Sequence, residues 1–389
     1  MLWPLNTMQN ILPKSGNDMG LNDRWACALI SVFLLAGCAG PAWYAQAVSG
    51  HLALMTQRSD ISEVLAEGKI DPALQQDLHL AMEIRDFAIN QLGLPDNGSY
   101  TEFVQTGRHA VTWNIVATPE FSLEAKRWCF IVAGCVSYRG YFDQLKAERF
   151  ANKLEKKSYD VTISPAIAYS TLGWFDDPLL DTMLQYRDEQ LAALIFHELA
   201  HQQLYVKGDT AFSEAYASFV EEAGVRAWLQ TTGRDDLLLR WQSMNDASKQ
   251  FDILLQNTRD QLSGIYISGL DDEEMIAQKK LVFIEMKSRY LALVNEHWGG
   301  VNHYRSWFSL ELNNARLALM KLYRGGSCAF ENLYESAGEN MVLFHQLSAD
   351  RAALNPDERA TWLNQSCDRR RSVTTYRSSQ GKGSDTCLL

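Results

Sequence analysis

His197-Glu198-Leu199-Ala200-His201 lies within an apolar run, and a second run beginning Phe212-Ser213-Glu214-Ala215-Tyr216 follows closely. On a helix, residues i and i+4 share a face, so both imidazoles of an H-E-x-x-H segment reach one point. Neutral imidazoles are good zinc ligands, and a glutamate beside the metal is placed to take a proton from a metal-bound water. The chemistry implied is metal-assisted hydrolysis, with His197 and His201 as zinc ligands and Glu198 as general base.

Catalytic zinc commonly takes three protein donors and a water, so a third ligand is required. Glu214 is the best placed, in the first turn of a helix reached by a short Gly-containing connection. Around it, Ala217, Ser218 and Gly224 are small enough for close helix approach, whereas Phe212, Tyr216, Phe219 and Ala223 form a core face. Glu221 falls on the face of Glu214 two turns on, about 10 Å along the axis, and cannot share the same ion. It is instead expected to support a zinc-bound imidazole from behind.

The elements that must hold these residues can be read from spacing. Residues 75–92 carry apolar positions at helical period and stop at Gly93 and Pro95. Ala110–Ala117 and Phe130–Val136 read as strands, Arg139–Lys157 as a helix, and Tyr159–Ser170 as an extended segment in which Pro165 demands a sheet edge. Asp188–Val206 carries the histidine pair, Asp209-Thr210 caps the next helix, Ala211–Gln230, and periodic stretches follow near 234–259, 271–296, 303–324 and 328–348. The fold class expected is α+β, predominantly α-helical: a catalytic unit with a small edge-stranded sheet and an active-site helix pair, followed by a helical half. The divisions are 1–38, 39–109, 110–232, 233–350 and 351–389, the last ending in a polar tail.

The segments H-E-L-A-H-Q and F-S-E-A-Y-A-S-F-V-E resemble the gluzincin pattern, in which such a pair carries the zinc ligands. More closely, Tyr138–Phe142 (Y-R-G-Y-F), Ala168–Phe175 with Asp177-Pro178, and Asn313–Ala315 resemble segments of a bacterial zinc-dependent aminopeptidase family of lipoproteins. Two departures stand out. Twelve residues separate His201 from Glu214, fewer than in familiar gluzincins, and Ser213 replaces the usual Asn before the third ligand. The resemblance implies that Tyr169–Phe175 leads along an edge strand that pairs with peptide substrate, Gly173 permitting close approach. Tyr138, Tyr141 and Tyr169 are candidates to donate a hydrogen bond to the oxyanion. A substrate α-ammonium would need an anionic partner, for which Asp176, Asp177 and Glu221 are options.

Toward the N-terminus, Trp25–Gly37 is apolar, Arg24 precedes it, and Leu35-Ala36-Gly37-Cys38 resembles a bacterial lipoprotein cleavage site. The run falls short of the roughly 20 residues of a membrane span. Residues before Met19 look like an upstream start, and Ala39 after the lipidated Cys38 implies outer-membrane sorting. The expected location is the cell envelope, anchored by lipid and facing the periplasm. Export permits disulfides: Cys129 and Cys135 are close enough in sequence for a local bridge, and the odd count with Cys328, Cys367 and Cys387 leaves at least one thiol over.

A net charge of −11 over 389 residues gives no support for nucleic-acid binding, Arg369-Arg370-Arg371 being a short cluster in the polar tail. The expected activity is therefore zinc-dependent peptide hydrolysis, aminopeptidase by resemblance, with one Zn²⁺ per chain and a peptide as partner. An envelope endopeptidase or quality-control protease is the rival within the class. A non-catalytic lipoprotein on a peptidase scaffold is the rival outside it, and the intact Glu198 argues against that.

Overall fold

The computed structural model describes residues 40–130, 134–168, 176–321 and 327–364. In chain order the helices are α1 (Pro41–Met55), α2 (Ile61–Glu67), α3 (Pro72–Asn90), α4 (Gln144–Glu155), α5 (Asp188–Gln203), α6 (Thr210–Thr231), α7 (Asp235–Tyr266) and α8 (Asp272–Ala292). They continue as α9 (Arg305–Phe308), α10 (Asn314–Lys321), α11 (Ser327–Ser336), α12 (Met341–Ala352) and α13, 356–364. The strands are β1 (Ser59–Asp60), β2 (Glu102–Val104), β3 (Thr112–Pro119), β4 (Trp128–Phe130), β5 (Gly134–Val136), β6 (Arg139–Tyr141), β7 (Tyr159–Ala166) and β8 (Leu179–Leu180). The chain is α+β and mostly helical. None of the described helices is long and apolar enough to cross a membrane.

The main sheet has the order β6-β3-β7, antiparallel throughout, with Ile115 opposite Ile163 and Arg139. Its β7 is an edge strand, where the missing N–H of Pro165 does no harm. Ile115, Ala117 and Val161 of the sheet bury against Ala147, Ala151 and Leu154 of α4. A second sheet, β1-β2-β8, pairs β2 with β8 in parallel and brings residue 177 beside the turn before β2.

Three expected elements are corrected. In place of one Phe130–Val136 strand there are two short ones, β4 and β5, paired antiparallel with Cys129 opposite Cys135 and bridged to it by a disulfide; residues 131–133 lie outside the described residues. Cys328 is disulfide-bonded as well. The Arg139–Lys157 helix begins only at Gln144, because Arg139–Tyr141 pairs with Trp113–Ile115 as β6 and Asp143 then caps α4 by accepting Lys146 N–H at 2.8 Å. The 303–324 helix breaks between α9 and α10, where Asn313 lies outside the helix and Asn314 begins α10, both bound to β7 and the turn after β3. Asn313 Nδ2 donates to Val161 O and Asn314 Nδ2 to Glu120 O, both at 2.9 Å, and Asn314 N–H donates to Asp160 Oδ2 at 2.8 Å.

The largest apolar core surrounds α3, α5, α6, α11 and α12, with Phe196, Phe212, Tyr216, Trp228, Phe330 and Phe344 fully buried. A separate cluster forms the α7–α8 helical hairpin around Phe251, Leu262, Met286 and Tyr290. Helices α5 and α6 are therefore walled on both sides, which fixes the pair that carries the histidines and Glu214.

Candidate metal centre

Helix α5 starts with Asp188 and Glu189 in its first turn, favourably placed against the helix dipole. Glu189 is fully buried, and Arg240 of α7 binds it with two hydrogen bonds of 2.8 Å, a bidentate pair that anchors the helix start. Leu191, Ile195, Phe196 and Leu199 bury the rest. Gly224 of α6 lies so close to α5 that a Cβ there would stand 2.9 Å from the Phe196 ring. The close approach lets short side chains on the two helices meet.

The connection between them is organised by Ser213. Its hydroxyl accepts Val206 N–H at 3.1 Å and donates to Asp209 O at 3.0 Å, while Asp209 Oδ1 caps α6 by accepting Phe212 N–H at 3.1 Å. The other carboxylate oxygen of Asp209 accepts Arg359 Nε–H of α13 at 2.8 Å, and the Arg359 guanidinium also lies over the Phe212 ring. Ser213 thus makes the short connection workable, and the last described helix pins the start of α6.

At the centre, His197, His201 and Glu214 bring three donor atoms together within 4.8 Å of one another. His197 Nε2 is 3.1 Å from His201 Nε2 and 3.4 Å from Glu214 Oε2, and His201 Nε2 is 3.5 Å from Glu214 Oε1. Donors about 2.0–2.1 Å from one tetrahedral ion stand about 3.3–3.4 Å apart. The two imidazole nitrogens are near that separation, and each lies about as far from one oxygen of the Glu214 carboxylate, Oε2 for His197 and Oε1 for His201. Glu214 Oε2 is buried and its nearest polar neighbour is the His197 imidazole at 3.4 Å, so the carboxylate sits where a cation would be balanced.

The other nitrogen of His197 settles its tautomer. Its Nδ1–H donates to Glu221 Oε2 at 3.0 Å, which turns Nε2 toward His201 and Glu214. Burial alone would depress the His197 imidazole, but the hydrogen bonds to Glu214 and Glu221 outweigh it and raise its pKa to about 10. Burial and the neighbouring His197 lower His201 to about 4. At neutral pH the pair therefore carries one positive charge, on His197, facing the two glutamates. A bound cation would take over that charge.

Glu198 is half-buried, and its charge raises the pKa of Tyr100 and Tyr138, in each case after burial as the first cause. Tyr138, 39% exposed, faces Glu198 and Glu214 from the loop before β6. Tyr141 does not join the group: it is buried in the cluster beneath the sheet against Phe150 and Arg139. Being three residues beyond Tyr138 on a strand of alternating direction, it turns to the α4 side. Tyr169 and Gly173 lie outside the described residues.

Two tyrosines were not anticipated. Tyr205 falls one turn beyond His201, its ring edge-on to that imidazole at 6.0 Å, and its phenol is raised by partial burial and by Glu214. The i+4 spacing from His201 was the available signal. Tyr100 is buried with φ +63°, a strained conformation for a non-glycine residue, and nothing in Asn97-Gly98-Ser99-Tyr100 announces it. Its N–H donates to Asp177 O at 2.7 Å. Around it, Asn97 Nδ2 donates to Gln202 Oε1 at 2.5 Å, Gln202 Nε2 to Ser99 Oγ at 3.1 Å, and Gly98 N–H to Asp176 Oδ1 at 3.1 Å. Asp176 is thereby used as a loop clamp, and Asp177 is buried behind it.

Two helices held in close contact, presenting two imidazoles and a carboxylate at one buried point beside a glutamate, define a protein able to hold a metal ion and work on a substrate next to it. The family model described as "Putative aminopeptidase" matches residues 42–363, most of the chain, and the protein belongs to that family. No curated protein and no solved structure matches the chain.

Proposed function

We propose that the protein is a zinc-dependent aminopeptidase with His197, His201 and Glu214 as the metal ligands. The observation that carries this reading is the convergence of those three residues, with one donor atom from each within 4.8 Å of the others, in a chain of an aminopeptidase family. A zinc ion held by these residues would supply Lewis acidity for a bound water and the scissile carbonyl. Glu198 takes the proton of the attacking water and delivers it to the leaving amine. Glu221 keeps the His197 imidazole in the ligating tautomer and orientation. Tyr138 and Tyr205, both partly exposed beside Glu214, are the phenols available to the oxyanion. In the same reading Cys38 is lipidated and the enzyme works at the envelope, on the periplasmic side.

Glu198→Gln removes the base while sparing every ligand. It should keep its metal and its melting temperature and lose on the order of 10²–10⁴-fold in hydrolysis of an aminoacyl-p-nitroanilide. Undiminished turnover in this variant would refute the mechanism. An N-acetylated substrate should remain uncut by the wild type, and its cleavage would replace aminopeptidase with endopeptidase.

A further inference from the structure

Helix α1, P-A-W-Y-A-Q-A-V-S-G-H-L-A-L-M, contains no Asp, Glu, Lys or Arg. Its inner face is fixed to the body. Trp43 Nε1 donates to Gly140 O at 2.8 Å and its ring stacks on Phe130, Gln46 Oε1 accepts Phe142 N–H at 3.0 Å, and Gly50 lies against the Phe142 ring. The outer face, at 100° per residue, carries Ala42, Ala45, Ser49 and Ala53, all exposed, with Val48 56% and Leu52 55% exposed. A surface helix normally turns charge outward, and this one turns apolar and small residues outward. Leu145 at the start of α4 is also exposed, and Arg108 and Lys146 line a cavity shared with Ser49 and Ala53, where Asp143 is engaged in capping α4.

We infer that this face rests on a lipid bilayer. The inference rests on the reading of Cys38 as the lipid-bearing residue: α1 begins three residues after it, a span of about 10 Å at full extension. An acyl anchor at that point keeps α1 at the headgroup level and nowhere else. There an uncharged face loses no ion hydration on insertion, Val48 and Leu52 reach the acyl boundary, and Arg108 and Lys146 meet lipid phosphates at its edge. The helix acts as a second membrane contact beside the anchor and fixes how the body is oriented. Because Trp43 and Gln46 hold Gly140 and Phe142, the contact is coupled rigidly to β6 and the loop bearing Tyr138.

The test uses the chain from residue 38 with Cys38→Ser, which retains every described element and carries neither leader nor acyl chain. Sedimented with vesicles of phosphatidylethanolamine and phosphatidylglycerol, it should bind, and Val48→Glu/Leu52→Glu should lower the bound-to-free ratio about tenfold or more. Leu281→Glu/Ile284→Glu on α8, at residues just as exposed, is the matched control and should bind like the parent. Circular dichroism and melting temperature should be unchanged in both. Failure of the parent to bind vesicles, equal loss in the two variants, or a lipid-free dimer broken by the α1 substitutions would overturn the proposal. The N-terminal mass of the membrane-extracted protein reports separately on Cys38.

Discussion

Glu214 and Glu221 stand two turns apart on α6 and approach opposite sides of the same imidazole, one at Nε2 and the other at Nδ1. The consequences of deleting them should differ in size. Glu214→Ala leaves two imidazoles and should abolish tight zinc binding, since three fixed donors are the usual catalytic set. Glu221→Ala leaves all three donors and frees one ring to rotate, a loss of about 10–100-fold in metal affinity. Competition with a chromophoric chelator measures both, and a greater loss in Glu221→Ala would move the ligand role to that residue. The clustering of His197, His201 and Glu214 was legible in the sequence: helical spacing aligns the two histidines, and the short connection to the next helix brings Glu214 toward them. Tyr100 was not: its left-handed backbone depends on Ser99 and Asp177, which meet only in the folded chain.

Among the elements, α6 depends most on distant support. Its first turn carries Glu214, and its cap, Asp209, is held by Arg359, which is 8% exposed at its side chain and also donates to Ala352 O and Leu354 O of the preceding turn. Arg359→Met preserves much of the apolar stem and removes the charge, leaving Asp209 and two carbonyls short of a donor. The expected cost is about 2–3 kcal/mol, given that Asp209 is partly open to water. Denaturant unfolding measures it, and metal affinity should weaken in parallel as the α6 start frays. An unchanged midpoint with unchanged affinity would show that the cap needs no such support. Asp60, Asp71, Asp143, Asp209, Asp271 and Asn340 each accept a backbone N–H as a helix cap, but only Asp209 was read as one from the sequence; the expected starts at 75 and Arg139 and the unbroken 328–348 stretch passed over the caps at Asp71, Asp143 and Asn340. Strand limits were not readable, because β4, β5 and β6 are three residues each and owe their conformation to partners rather than to any period of their own.

For the molecule as a whole, the helical hairpin and the sheet are joined through a small polar hub. Asn314 is fully buried and is shared by Glu120 O, Asp160 and Tyr266, whose hydroxyl donates to Asn314 Oδ1 at 2.9 Å, and Lys279 binds Asp160 at 2.6 Å. Asn314→Ala removes the side-chain partner of Glu120 O and of the Tyr266 hydroxyl, both half-buried, about 1–3 kcal/mol in all. Wild-type unfolding should give coincident transitions by tryptophan fluorescence and far-ultraviolet dichroism; the variant's should separate as the α7–α8 hairpin detaches, and coincident curves would deny the hub its coupling role. The sequence displayed the long helices that meet here but not their junction, since an asparagine pair inside a periodic stretch carries no local mark of the strands it will reach. The Arg359–Asp209 contact has a consequence in time. A ribosome releases residue 209 long before residue 359, so the helix bearing Glu214 waits for its clasp until synthesis is nearly over. A chain cut short before α13 would lack Arg359 and leave Asp209, and with it the first turn of α6, without that support.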